Sequence, residues 1–532
     1  MKHPPHPLPG CSCRRLAGAA AILGAWMACQ APLAGATPSN LAGSLNDIQT
    51  VVVIYGENRS FDNLYGRFPG ANGIANASAT ATIQLDLDRK TPLAGLPAVW
   101  SSAAKAPWNL VTGMPNGPIQ LDAPPLNAGL KVVSPDLVHR FYQNQMQING
   151  GAMNLFAAYC NEGGLAMGVY DGSNLPMYKL AQKYTLCDNF FMGAFGGSFL
   201  NHQYLISATA PRVANISKYP AVANLDGTVV PVLDTNGNLV LSPKSPASVT
   251  KGKVQFLQDG TFTPDGYAVN TIAPPYQPSG VPPAAGQDLR LSNPAGDAYE
   301  ESLVLAPITD VTTIGDTLTA KKVSWKWYAG LWNAALQEGL TVTDSSKYKI
   351  IWTEVPGQPD FEPHHQPFNF YARFDPTTAS GAAERAEHLK DYEDFLADIH
   401  RGTLPQVAFY KPEGDLNEHP GYTDIYGSDA AMASVIAALQ ASPQWPHMAI
   451  IVTYDENGGF WDHVAPPKAD RWGPGCRVPT LIISPYAKTG FVDHTQYDTG
   501  SILKFITKRF ELDPLAGVRP IMGDLTNPFN FN

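Results

Sequence analysis

Five short runs of the chain are continuously apolar rather than alternating: 48–55 (IQTVVVIY), 348–355 (YKIIWTEV), 406–412 (QVAFYKP), 448–456 (MAIIVTYDE) and 480–486 (TLIISPY). Each predicts a strand buried on both faces. Between them, 382–400, 429–440 and 499–512 repeat apolar residues near helical spacing and predict amphipathic helices. Such strands and helices in alternation build a largely parallel sheet covered on both sides, an α/β three-layer sandwich. The stretch from about 216 to 294 breaks the pattern. Asn236-Gly237 and Asp265-Gly266 sit between alternating residues, and a Pro-rich run follows, which predicts β-hairpins in a surface insertion.

The first 36 residues read apart from this fold. Lys2, Arg14 and Arg15 precede the apolar run LAGAAAILGAWMA, and PLAGA supplies small residues at Ala34 and Ala36. That is a signal-peptide pattern with cleavage after Ala36, and it predicts a periplasmic or secreted protein. The apolar run is too short to span a bilayer, so no stable membrane anchor is expected after cleavage. The Arg14-Arg15 pair and Cys29 offer weaker twin-arginine and lipoprotein readings. Residues 37–532 then make a single domain. Three cysteines remain there, Cys160, Cys187 and Cys476. Export permits a disulfide, with Cys160 and Cys187 nearest in sequence, and the odd number leaves a free thiol. The formal net charge of -10 disfavours a nucleic-acid partner.

Polar residues gather where a sheet of this kind holds ligands, at the carboxyl ends of its strands. The run at 48–55 gives way to Glu57 and Asn58. The run at 448–456 closes on Asp455 and Glu456, with Asp462 and His463 following. Converging carboxylates repel unless a cation or proton sits among them, and oxygen donors suit a hard or borderline divalent ion. Glu57-Asn58 also reads as a helix cap and DENGG as a turn; their parallel placement favours a site. Ser198, after Gly196-Gly197, opens a predicted helix whose free N–H groups suit an anion, though an N-cap role fits it as well. Its context is not G-x-S-x-G. His139, His364, His365 and His419 are candidates for stabilising charge on transferring oxygens and protonating a leaving alkoxide.

The segments ENRSFDNLYG, INGGAMNLFAAY, MGVYDGSNLPMYKLAQKYTLCDNFFMG, TYDENGGFWDHVAPP and VPTLIISPYAKTGFVDHTQYDTGSILKFITKRF resemble the bacterial phosphoesterase family of acid phosphatases and phospholipases C. The resemblance runs from about Asp47 to the C-terminus and is weakest over 216–294. It implies an alkaline-phosphatase-like α/β fold, one divalent metal ion, and a hydroxyl nucleophile that forms a covalent phosphoryl-enzyme. FGGSFLNH is similar to the acid phosphatase branch, which makes Ser198 the nucleophile; the phospholipase branch carries threonine in a GPT…NR context. The implied metal ligands are Glu57, Asn58, Asp455 and Glu456, with the Ser198 oxygen beside the ion. The implied phosphate contacts are His139, His419 and one of His364 and His365, with His365 preferred.

The resulting expectation is a secreted acid phosphatase acting on small phosphomonoesters. The alternative is a phospholipase C cleaving phosphodiester lipids such as phosphatidylcholine. Choline recognition favours an aromatic cage, which Trp325, Trp327, Tyr328 and Trp332 of SWKWYAGLW supply unless they form a core helix. A non-catalytic binding protein on this fold predicts loss of the nucleophile, a carboxylate or a histidine, and all are present. The absence of a C/S-x-P-x-R motif disfavours an arylsulfatase.

Overall fold

Val51, Val52, Val53 and Ile54 are β-branched and fully buried, which suits a strand with neighbours on both edges and helices on both faces. They form β1 (Thr50–Gly56), near the middle of an eight-stranded sheet. The computed structural model describes residues 44–101, 105–213, 230–295 and 303–531. The other strands are β2 (Thr185–Cys187), β3 (Trp325–Ala329), β4 (Leu389–Asp391), β5 (Val407–Lys411), β6 (Met448–Tyr454), β7 (Thr480–Ile483) and β8 (Phe491–Asp493). Their order is β8-β2-β7-β6-β1-β5-β3-β4. Every pairing is parallel except the two made by β7, which runs antiparallel to β2 and β6. The fold is therefore the α/β sandwich that the apolar runs predict.

The helices that place the site are α1 (Phe61–Tyr65), α2 (Ser198–Ser207), α3 (Trp332–Thr341), α4 (Ala379–His388), α5 (Tyr392–Arg401), α6 (Ile425–Ala441) and α7 (Thr499–Phe510). Helix α6 packs on α5, and α7 packs on α2. Contacts gather the described residues from Ser44 onward into one unit.

Four expectations are corrected. Residues 348–355 form no strand beyond the isolated bridge between Ile351 and Phe361. The Glu338 carboxylate on α3 accepts from the backbone N–H groups of Lys349, Ile350 and Ile351 at 2.7–3.0 Å, so those donors are lost to a ladder. The strand lies instead in SWKWYAGLW, where Trp325, Trp327 and Tyr328 are buried in β3, neither a helix nor a cage. The helix expected over 382–400 is broken by β4, after which Asp391 caps α5. In the 216–294 insertion, hairpin-like bridges close around Asn236-Gly237 and Asp265-Gly266, but no longer ladder forms among its described residues. Prolines such as Pro231, Pro243, Pro246 and Pro264 have no N–H to extend one.

Cys160, Cys187 and Cys476 are all free and buried, so the permitted disulfide does not form. The signal-peptide segment lies outside the described residues. Among the described residues no helix is long and apolar enough to cross a membrane.

Candidate active site

Three adjacent parallel strands, β6, β1 and β5, end at one level. Gly56 lies opposite Tyr454, and Ile54 opposite Tyr410. Asp455 after β6, Glu57 after β1 and Lys411 at the end of β5 are thereby brought to one place. The turn after β1 puts Asn58 at φ +59°, and its N–H donates to Asp455 Oδ1 at 3.1 Å. The loop after β6 crosses close by through Gly458, where a Cβ would come within 2.3 Å of the Asn58 carbonyl oxygen.

Ser198 arrives from the other side as the first residue of α2. Gly197 holds the N-cap position, so Ser198 is not the cap and its hydroxyl is free for other work. Its Oγ donates to Glu57 Oε2 at 2.9 Å. Asn201, one turn along, fastens the loop before it: Oδ1 accepts from Ala194 N–H at 2.8 Å, and Nδ2 donates to Gly197 O at 3.1 Å. The second oxygen of Glu57, Oε1, faces Lys411 Nζ in direct contact, His365 Nε2 at 3.1 Å and His202 Nε2 at 3.8 Å. Of the histidine pair, His365 reaches Glu57, whereas His364 Nδ1 faces Glu362 at 3.8 Å. At the far rim, His139 Nε2 lies 3.7 Å from Glu456 Oε1, and its ring meets that of His419 edge-on. His419 is stacked flat on Tyr422.

The Phosphoesterase family model matches residues 48–513. This chain belongs to the Phosphoesterase family. Over 99% of its length it is 27% identical to Phospholipase C B of Mycobacterium tuberculosis, 87% of which is covered. Phospholipase C A of the same organism matches at 26% identity, over 97% of this chain and 83% of that protein. The hemolytic phospholipase C of Pseudomonas aeruginosa matches at 23% over 93% of this chain and 57% of its own length. Among solved structures, an alkaline phosphatase superfamily protein from Vibrio parahaemolyticus covers 75% of this chain and 74% of that one, at 9% identity and a TM-score of 0.29. The chain is a phosphoric ester hydrolase.

The electrostatics of this phosphoesterase follow from burial. Burial raises the Glu57 carboxyl well above the carboxylate range, the charge of Asp455 raises it further, and Lys411 pulls it back. Burial and Asp455 likewise raise Glu456. Burial lowers His202, His365 and His419 well below the ordinary imidazole value, and His364 to about 3. Backbone carbonyls hold Nδ1 of three rings: Leu137 O with His139 (2.6 Å), Ser198 O with His202 (2.8 Å) and Pro420 O with His419 (2.6 Å). The network therefore assigns the Nδ1–H tautomer and turns each Nε2 lone pair outward.

Several buried atoms around this point make no hydrogen bond: Asn58 Oδ1 and Nδ2, Asp455 Oδ2, Glu456 Oε1, and Nε2 of His202 and of His365. Leaving such an atom unpaired costs about 1–3 kcal/mol. By chemistry, these unpaired oxygen and imidazole donors suit a divalent cation.

Lys411 and His202 are the members that the sequence reading misses. A lysine closing the apolar run at 406–412 was one available signal. The i, i+4 spacing from Ser198 to His202 on one helix face was the other. Asp462 and His463 do not join the site. They lie in a separate buried network, where Arg477 Nε donates to Asp462 at 2.9 Å and His463 Nδ1 pairs with Asp62 at 2.6 Å.

Proposed function

We propose that Ser198 attacks the phosphorus of a bound phosphoester and forms a phosphoseryl enzyme that water then hydrolyses. The observation that carries this reading is the hydrogen bond from Ser198 Oγ to Glu57 Oε2, set among buried donors that lack protein partners. The Ser198 Oγ–P bond forms as the bond from phosphorus to the leaving oxygen breaks, and the hydroxyl proton would be released to solvent as a cation takes its place among these donors. One divalent ion held by Glu57, Asn58, Asp455 and Glu456 would lower the serine's pKa and offset phosphoryl charge. His365 and His419 face the equatorial phosphoryl oxygens, where incoming anionic charge favours the protonated imidazole. His139, with 20% of its side chain exposed, takes up a proton from solvent at Nε2 and delivers it to the leaving alkoxide.

The relatives named phospholipase C, aligned over 97–99% of this chain, support a phosphodiester lipid as substrate, the alternative reading of the sequence. Acid phosphatase remains the second reading, on two observations. The nucleophile is a serine in FGGSFLNH, and Ser198, His365 and His419 are all at least 96% buried, which suits a small phosphoryl group. The buried aromatics of β3 provide no cage for choline. The signal-like N-terminus supports export to the periplasm or beyond.

The test is hydrolysis of p-nitrophenyl phosphate, p-nitrophenyl phosphorylcholine and phosphatidylcholine vesicles by wild type and Ser198→Ala. Faster cleavage of the diesters, lost in the variant, is the expected result. Faster cleavage of the monoester instead selects the phosphatase reading. Full activity of Ser198→Ala would falsify the nucleophile assignment.

A further inference from the structure

The two oxygens of Glu57 serve different partners. Oε2 accepts from Ser198, while Oε1 is turned to Lys411, His365 and His202. One ligand atom from each of Glu57, His202 and His365 falls within 4.8 Å of the other two, close enough for all three to reach a single ion. A carboxylate and two imidazoles are a zinc-type donor set. His202 also carries the outer hydrogen bond typical of a metal-ligating histidine, from Nδ1 to the Ser198 carbonyl oxygen. Both Nε2 atoms are buried and make no hydrogen bond. By donor chemistry alone, this is a second cation position beside the one assigned to Glu57, Asn58, Asp455 and Glu456.

A positive charge already stands there. Lys411 Nζ touches Glu57 Oε1 and donates to the Tyr55 carbonyl oxygen at 3.1 Å, with the Tyr55 ring 5.7 Å away. Its side chain is 1% exposed, and β5 is fixed between β1 and β3 by ladders on both edges, so the ammonium is pinned. A metal ion would need to lie about 2.0–2.2 Å from the same carboxylate oxygen, in space the ammonium fills. A buried lysine persists only when its charge is matched, and here the matching charge is Glu57.

We propose that the Lys411 ammonium takes the place of a second metal ion, so that this site holds one exchangeable cation beside one built into the chain. This rests on the metal-assisted reading above. One divalent ion and one ammonium together balance the charges of Glu57, Asp455 and Glu456. Lys411 is thus a positioning residue: it holds Oε1 so that Oε2 faces Ser198.

The test is Zn²⁺ stoichiometry of the chelator-stripped full-length protein, by titration calorimetry and elemental analysis. Wild type is expected to bind one equivalent, Lys411→Met two, and Lys411→Met combined with His202→Gln one again. Two equivalents in wild type, or one in a folded Lys411→Met, would overturn the proposal while leaving the serine mechanism standing. No equivalent in wild type would overturn the metal-assisted reading, and this proposal with it. If Lys411→Met fails to fold, Lys411→Gln is measured in its place. If neither folds, wild type decides alone, one equivalent supporting the proposal and two overturning it.

Discussion

Gly458 faces the Asn58 carbonyl with φ +58° and no room for a Cβ. Gly458→Ala therefore combines a left-handed backbone penalty of about 1–2 kcal/mol with a push on Asn58. It is expected to lower the melting temperature and to cut kcat by about tenfold or more, and wild-type kcat would refute the placement of Asn58. The histidine doublet separates at the same scale, because only His365 reaches Glu57. His365→Ala is expected to lower kcat/KM by ~10²-fold and His364→Ala by much less. Equal losses would mean the two rings act as one unit, as their 4.5 Å centroid separation permits.

At the scale of the element, Ser198, the proposed nucleophile, depends on how α2 begins. Gly197 caps it, so the Ser198 hydroxyl need not do so, and Asn201 ties the preceding loop to the first turn. Asn201→Ala removes those bonds without touching Ser198. At about 1 kcal/mol for each hydrogen bond, a loss of ~2 kcal/mol is expected in denaturant unfolding, with kcat falling more than KM changes. Unchanged stability would show that the loop is held by other means. Helix α3 acts on the fold in a comparable way: Glu338 captures the amides of 349–351 and keeps that apolar run out of the sheet.

Across the whole molecule, burial sets the response to pH and to metal. Burial first, then the charges of Asp415, Glu393 and Asp391, raises Glu413 to about 8. Unfolded, it titrates near its ordinary value of about 4.3. The folded state therefore binds the extra proton, and this contribution to stability is full below about pH 4.3 and declines as pH rises toward about 8. Glu413→Gln should flatten that slope in urea midpoints compared at about pH 5 and about pH 8; an unaltered slope would assign it elsewhere. Chelation is expected to lower the melting temperature, and readdition of the ion at 100 times its Kd to restore about 2.7 kcal/mol. A melting temperature indifferent to chelator would count against a cation among Glu57, Asp455 and Glu456.

Local physics carried much of this into the sequence. A strand buried on both faces is legible from β-branched runs such as 51–54, and the rule that ligands sit at strand carboxyl ends singled out Glu57, Asn58, Asp455 and Glu456 without any knowledge of pairing. Ser198 and the histidines stood out as candidates on local grounds, and a resemblance supplied the serine's role and the preference for His365. Tertiary structure alone decided that β5 lies beside β1, which brings Lys411 to Glu57 across 354 residues of sequence. It alone excluded 348–355 from the sheet, because the competing acceptor is a carboxylate on a neighbouring helix. It alone sent Asp462 and His463 to Arg477 rather than to the site. Pattern along the chain reports what each segment needs to bury; which charged group meets which is fixed only when the segments pack.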